Sequence, residues 1–237
     1  SSDLNIYDFA VSEENYGPSY CVARYGIVYN ADEVTEPPTS WEDLWDPKYE
    51  NNISIADITG TSGMMLLSMA ARLNGADEHN IDAGFEKMQE IKPNVVNFYV
   101  STSDVLNMFE RKEIVMAPFM DIFVAQLQES GLSVGWAAPE EGCFAVFNTL
   151  NITKGSKNKE LAEKFIDFIL DEDTQKEIAE NLNDAPVNVN TKLDPELAEK
   201  MAYGKEKVES LIVFDWKYIN TVRDEWVERW NKEITLD

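Results

Sequence analysis

Between residues 53 and 137 short apolar runs alternate with helical patterns, and this alternation restricts the chain to few architectures. Residues 53–56 (ISIA) predict a short strand. It leads through Thr59-Gly60-Thr61-Ser62-Gly63 into a helix over 64–74, apolar on most faces and ended by Gly75. A second, amphipathic helix spans 80–91 and stops at Pro93. The next strand covers 95–100, after which Ser101-Thr102-Ser103 can cap a helix reaching Glu110. A strand at 114–117, a helix over 121–130 closed by Gly131 and a strand at 132–137 complete the series. Repeated strand and helix make an α/β lobe, placed at residues 36–145.

The flanks differ. YCVARYGIVY (20–29) is rich in β-branched and aromatic residues and predicts a strand; Ser40 caps a helix starting at Trp41. CFAVFNTLNI (143–152) predicts another strand, and the chain beyond it is almost all helical. Leu161, Ala162, Phe165, Ile166 and Ile169 mark one helix face; Ile219, Val222, Trp226, Val227 and Trp230 mark another. Residues 1–35 and 146–237 are therefore expected to belong together, as the remainder of a first lobe plus C-terminal helices.

The charge balance excludes some partners. Lys and Arg number 20 against 44 Asp and Glu, a net charge of −24, which opposes nucleic acid and anionic membrane surfaces. The excess either keeps a solvated surface soluble or draws in cations. No apolar run approaches the roughly 18 residues that cross a bilayer. Cys21 and Cys143 show no CxxC spacing; they are two small buried hydrophobes or, outside the cytoplasm, a disulfide. His79, the single histidine, stands in a polar stretch. There is no GxSxG, HExxH or P-loop, so no catalytic residue, metal ligand or cofactor is expected.

Polar clusters at helix starts are the alternative chemistry. Thr61 and Ser62 put hydroxyls and backbone N–H groups at the positive end of an apolar helix; Ser101 and Thr102 repeat the arrangement. Each is either an ordinary cap or a seat for an anionic group. Asp121 is an N-cap or an acceptor for a ligand ammonium. Arg24, in an apolar strand beside Tyr25, pairs with an acid of the protein or meets an anionic ligand. Phe119 and Phe144, aromatics near strand ends, are core or ligand wall.

Five segments occur together in order: YGIVYN (25–30), SWEDLWDPKYENN (40–52), KPNVVNFYVSTSDVLNMFERKEIVMA (92–117), PEEGCFAVFNTLNITKGSKNKELAEKFIDFIL (139–170) and VFDWKYINTVRDEWVERWNKEI (213–234). This series resembles the spermidine/putrescine-binding proteins, a branch of the bacterial extracellular solute-binding proteins of ABC importers. The resemblance implies an α/β fold of the type II periplasmic-binding-protein kind: a two-lobed clamp that captures a small solute by hinge closure, with the first lobe incomplete at the N-terminus. It implies an extracytoplasmic, monomeric protein, periplasmic or tethered as a lipoprotein, with a membrane permease as partner. Val146 and Asn148 fall where polyamine binders carry an aromatic and an acid, which puts a polyamine ligand in question. The candidate ligand contacts are thus Arg24, Tyr25, Thr61, Ser62, Ser101, Thr102, Phe119, Asp121, Phe144, Val146 and Asn148. A two-lobed α/β enzyme or a sensor module is the alternative function.

Overall fold

The computed structural model describes residues 5–11 and 17–235. Its strands are β1 (Ser19–Asn30), β2 (Ile53–Ala56), β3 (Val95–Tyr99), β4 (Met116–Met120), β5 (Val134–Ala137), β6 (Phe144–Thr149) and β7 (Ala185–Pro186). The helices are α1 (Thr61–Leu73), α2 (Asp82–Ile91), α3 (Thr102–Glu110), α4 (Val124–Glu129), α5 (Lys159–Ile169), α6 (Glu172–Leu182), α7 (Pro195–Lys200), α8 (Lys205–Glu209) and α9 (Trp216–Glu233). Two compact units result: Ser1–Arg24 with Ala145–Leu211, and Tyr25–Phe144 with Ile212–Asp237.

The larger unit carries the alternation. Its strands lie in the order β3-β2-β4-β1-β5. β2 runs parallel to β3 (Ile53↔Val95, Ala56↔Tyr99) and to β4 (Ile53↔Met116); β1 is antiparallel to β4 (Ile27↔Pro118) and to β5 (Val28↔Trp136). The C-terminal ends of β2, β3 and β4 therefore emerge along one edge, where open α/β sheets bind ligands.

Helix α1 is buried from Gly63 to Ala71, as an all-round apolar helix must be. It begins at Thr61, three residues ahead of the predicted Met64, because Thr61, Ser62 and Gly63 adopt its first turn rather than a preceding loop. It ends where Gly75 turns to φ +76 and the Ala76 N–H reaches back to the Ala71 carbonyl. The predicted helix over 121–130 opens instead as a 3-10 turn, Asp121–Phe123, before α4, and the segment after Trp41 is 3-10 rather than α-helical.

Helix α9, expected with the first lobe, packs in this larger unit. Ile219, Trp226 and Trp230 are buried; Trp230 meets Phe98 of β3 edge-on with ring centroids 5.6 Å apart. Arg229 lies 4.0 Å over the Phe85 ring of α2 and bonds Asp82 at 2.6 Å. Amphipathic periodicity announces a buried face without naming what covers it.

In the smaller unit β1 pairs with β7 (Cys21↔Pro186, Val22↔Ala185) and with β6. Val22, Ala145, Ala179, Ala185, Met201, Ala202 and Val208 form its main cluster. Buried Gln175 satisfies its whole amide: Nε2 donates to the Tyr20 and Ile169 carbonyls, and Oε1 accepts from the Val187 N–H. On α5 the expected apolar face splits. Ala162, Ile166 and Ile169 are half-buried, whereas Leu161, Phe165 and Phe168 stand exposed. Among the described residues no helix is long and apolar enough to cross a membrane.

Candidate functional site

A cavity of about 380 Å³ opens at the edge where β2, β3 and β4 end. Its wall comes from three strand ends and the turns that follow them: Asp57 and Thr59 to Ser62 after β2, Val100 to Thr102 after β3, and Met120 at the end of β4 with Phe123 beyond it. Tyr99 and Phe119, the last buried residues of their strands, complete it.

Each turn is fixed by its own sequence. Asp57 donates its N–H to the Tyr99 carbonyl at 2.9 Å, and its Oδ1 accepts from the Thr59 N–H at 2.9 Å and from the Thr59 hydroxyl. The carboxylate is thereby oriented and the chain turned toward α1. Gly60 occupies the N-cap of α1 without a side-chain cap, so the amides of Thr61, Ser62 and Gly63 lead the helix with no hydroxyl or carboxylate of the cap residue on them. The start of α3 is finished differently. Ser101 Oγ accepts from the Asp104 N–H at 3.3 Å, and Asp104 Oδ2 accepts from the N–H groups of Val100 at 3.0 Å and Ser101 at 2.9 Å. These bonds, the Val100 amide foremost, hold the Asp104 carboxyl below its ordinary range.

Electrostatically the cavity joins two helix starts. Thr61 and Ser62 are the first two residues of α1, while Ser101 and Thr102 are the cap and first residue of α3. Both helices direct partial positive charge at the same space. The same space is lined by one carboxylate, Asp57, and three rings, Tyr99, Phe119 and Phe123. Tyr99 and Phe119 pack edge to face with centroids 6.2 Å apart, and Phe119 and Phe123 are 5.7 Å apart. Burial raises the Tyr99 phenol above its usual range, so it stays protonated and donates to the Pro118 carbonyl at 2.6 Å. The wall thus offers donors, one acceptor acid and an aromatic face.

Of the residues expected from sequence, Thr61, Ser62, Ser101, Thr102 and Phe119 come together here. Asp121 does not line the cavity; it is the first residue of its 3-10 turn, and Met120 takes the cap position it was expected to hold. Tyr25 is buried against Trp41, ring centroids 5.6 Å apart, and Phe144 against Phe214, 5.4 Å apart; both serve the core of the same unit. Arg24, Val146 and Asn148 belong to the smaller unit. There Arg24 is buried and donates to the Lys200 carbonyl at 2.7 Å, while Asn148 Nδ2 lies 3.2 Å from Cys21 Sγ. Cys21 and Cys143 are both buried, and burial pushes the Cys21 thiol up to about 12. Asp57, Thr59, Val100, Met120 and Phe123 were missed. The strand-to-helix turn at Asp57-Ile58-Thr59-Gly60 is the signal that points to the first two, and Tyr99 joins them as the last residue of β3. Among the described residues no group of three His, Cys, Asp or Glu side chains is placed to hold a metal ion.

Known proteins share this architecture. An ABC transporter protein from Clostridium perfringens superimposes with a TM-score of 0.82 at 38% identity, covering 98% of this chain and 74% of its own. A periplasmic binding protein from Actinobacillus pleuropneumoniae, solved with fructose-6-phosphate bound, reaches a TM-score of 0.77 at 21% identity over 98% of this chain and 74% of its own, which shows the shared fold. The spermidine/putrescine-binding periplasmic protein of Salmonella typhimurium is 30% identical over 190 residues, 78% of this chain. The chain spans 53% of that relative's length. The α/β fold of the periplasmic binding proteins is thus the one expected from sequence. A profile of the wider group matches residues 8–221, a span that includes every turn lining the cavity, and so the chain belongs to the bacterial extracellular solute-binding protein family.

Proposed function

We propose that the chain captures a small solute for import by an ABC transporter, and that the cavity holds the solute's anionic head. The observation that carries this reading is the convergence of the α1 and α3 starts on one space, with the α1 cap residue supplying no side-chain acceptor. Backbone amides at a helix start bind phosphate, phosphonate or carboxylate groups through direct donation and the helix dipole. Asp57 then suits a hydroxyl or amine on the same ligand. The import role rests on the family, whose members capture solutes outside the cytoplasm and deliver them to a permease. In this reading the protein is monomeric and extracytoplasmic, periplasmic or lipid-tethered, and performs no catalysis. Arg24, Val146 and Asn148 stay candidate ligand contacts of the smaller unit, taken by itself.

A polyamine is the second reading. Asp57 among Tyr99, Phe119 and Phe123 favours it, because a carboxylate and aromatic faces hold an ammonium, and the charge of −24 draws cations in. Thermal unfolding of the full-length protein against fructose-6-phosphate, 2-aminoethylphosphonate, inorganic phosphate, putrescine and spermidine separates the two. A ligand at about 100 times its dissociation constant stabilises by roughly 2.7 kcal/mol. That is a shift of several degrees for a chain of this size. A rise with the phosphorylated compounds alone supports the anionic head; a rise with the amines alone replaces it with the polyamine.

A further inference from the structure

The loop between β2 and α1 is anchored at buried Ile58, but its second half has little packing of its own. Thr59 and Gly60 are exposed, and a Cβ placed on Gly60 would meet only the Asp57 carbonyl, at 3.5 Å. Hydrogen bonds set its course instead. Within the loop the Gly60 N–H donates to the Asp57 carbonyl at 3.1 Å, and the Asp57 N–H to the Tyr99 carbonyl at 2.9 Å. One bond comes from far along the chain: Arg223 Nη2 donates to the Thr59 carbonyl at 2.6 Å.

Arg223 stands in the middle of α9, whose place is set without it. Buried Ile219, Trp226 and Trp230 fix the helix, and Arg229 ties it to Asp82 and Phe85. The guanidinium is therefore a strut from a rigid platform to the thinly packed second half of the loop, Thr59 and Gly60. A charged donor on the Thr59 carbonyl also polarises the Thr59–Gly60 peptide, whose N–H side already bonds Asp57; consecutive hydrogen bonds strengthen one another in this way. We propose that Arg223 is a positioning residue for ligand capture: by holding the Thr59 carbonyl it fixes the turn that aims the first amides of α1 into the cavity. The part of this that concerns ligand rests on the anionic-head reading of the cavity; the part that concerns the loop does not.

The test compares full-length Arg223→Met, Arg223→Lys and Arg229→Met. Without ligand, hydrogen exchange of residues 57–63 is expected to rise on the order of tenfold in Arg223→Met, the value of a lost charge-assisted bond. The melting temperature should move by only a few degrees. Arg229→Met loosens α9 elsewhere and should leave that segment unchanged, and Arg223→Lys should recover part of the protection. With inorganic phosphate as probe, Arg223→Met should weaken binding by a similar factor while Arg229→Met does not. Unchanged exchange in Arg223→Met, or an equal rise in Arg229→Met, overturns the proposal. Exchange that rises as expected in a protein that never binds phosphate upholds the strut and removes the anionic reading of the cavity.

Discussion

The Tyr99 hydroxyl donates to the Pro118 carbonyl at 2.6 Å, linking the end of β3 to β4 across the strand that separates them. Both residues are buried, and the phenol is held protonated by that burial. Tyr99→Phe should leave the carbonyl without its donor and cost about 1–3 kcal/mol. Urea unfolding should show a lower midpoint at unchanged slope, since the surface exposed on unfolding stays the same.

Ser101 caps α3 through the Asp104 amide. Ser101→Ala should cost about 1 kcal/mol, the usual value of a lost N-cap. Because Ser101 also lines the cavity, the same variant should lose ligand affinity, read by calorimetry. A variant that loses stability and keeps full affinity would make Ser101 a cap alone.

Asp104 makes the cap sensitive to acid. Its folded pKa is depressed by the amides of Val100 and Ser101, so the carboxylate adds stability above its unfolded value of 3.8. That stability is lost as pH falls through the depressed folded value. Asp104→Asn should flatten this acid limb of stability and leave the neutral region with a weaker cap. Unfolding midpoints recorded from pH 7 down to pH 3 check it.

Gly63 sits where a Cβ would press into the Asp57 carbonyl. Gly63→Ala should destabilise by about 1–3 kcal/mol through overpacking, although alanine is the better helix former. The displaced backbone is the turn that carries Asp57 and Thr59, so ligand-induced stabilisation should shrink as well. An alanine variant as stable as the parent would show that the turn yields freely.

Much of this arrangement was legible because its signals are local. The hydroxyl cap at Ser101 placed α3, and the apolar run from Met64 and the Gly75 that follows it placed the body and end of α1, with no reference to the rest of the chain. Where position depends on distant partners, periodicity failed. The apolar stripe of α9 declared itself buried, but only Phe98, Phe85 and Asp82 decide that it packs in the larger unit. Tyr25 and Phe144 carried the residue types of a ligand wall, yet Trp41 and Phe214 claim their rings for the core. Asp57 went unseen because its role depends on β2 and β3 ending side by side, a register that no window of sequence contains.

Helix α5 turns Leu161, Phe165 and Phe168 outward, and this governs how the 237-residue chain behaves in a tube. At low salt the charge of −24 keeps copies apart by mutual repulsion. Raising the ionic strength screens that repulsion while strengthening attraction between greasy surfaces, above all with sulfate. The chain should therefore grip a phenyl column, brighten an extrinsic fluorophore while still folded, and turn cloudy as ammonium sulfate is added. Phe165→Glu combined with Phe168→Glu should abolish all three.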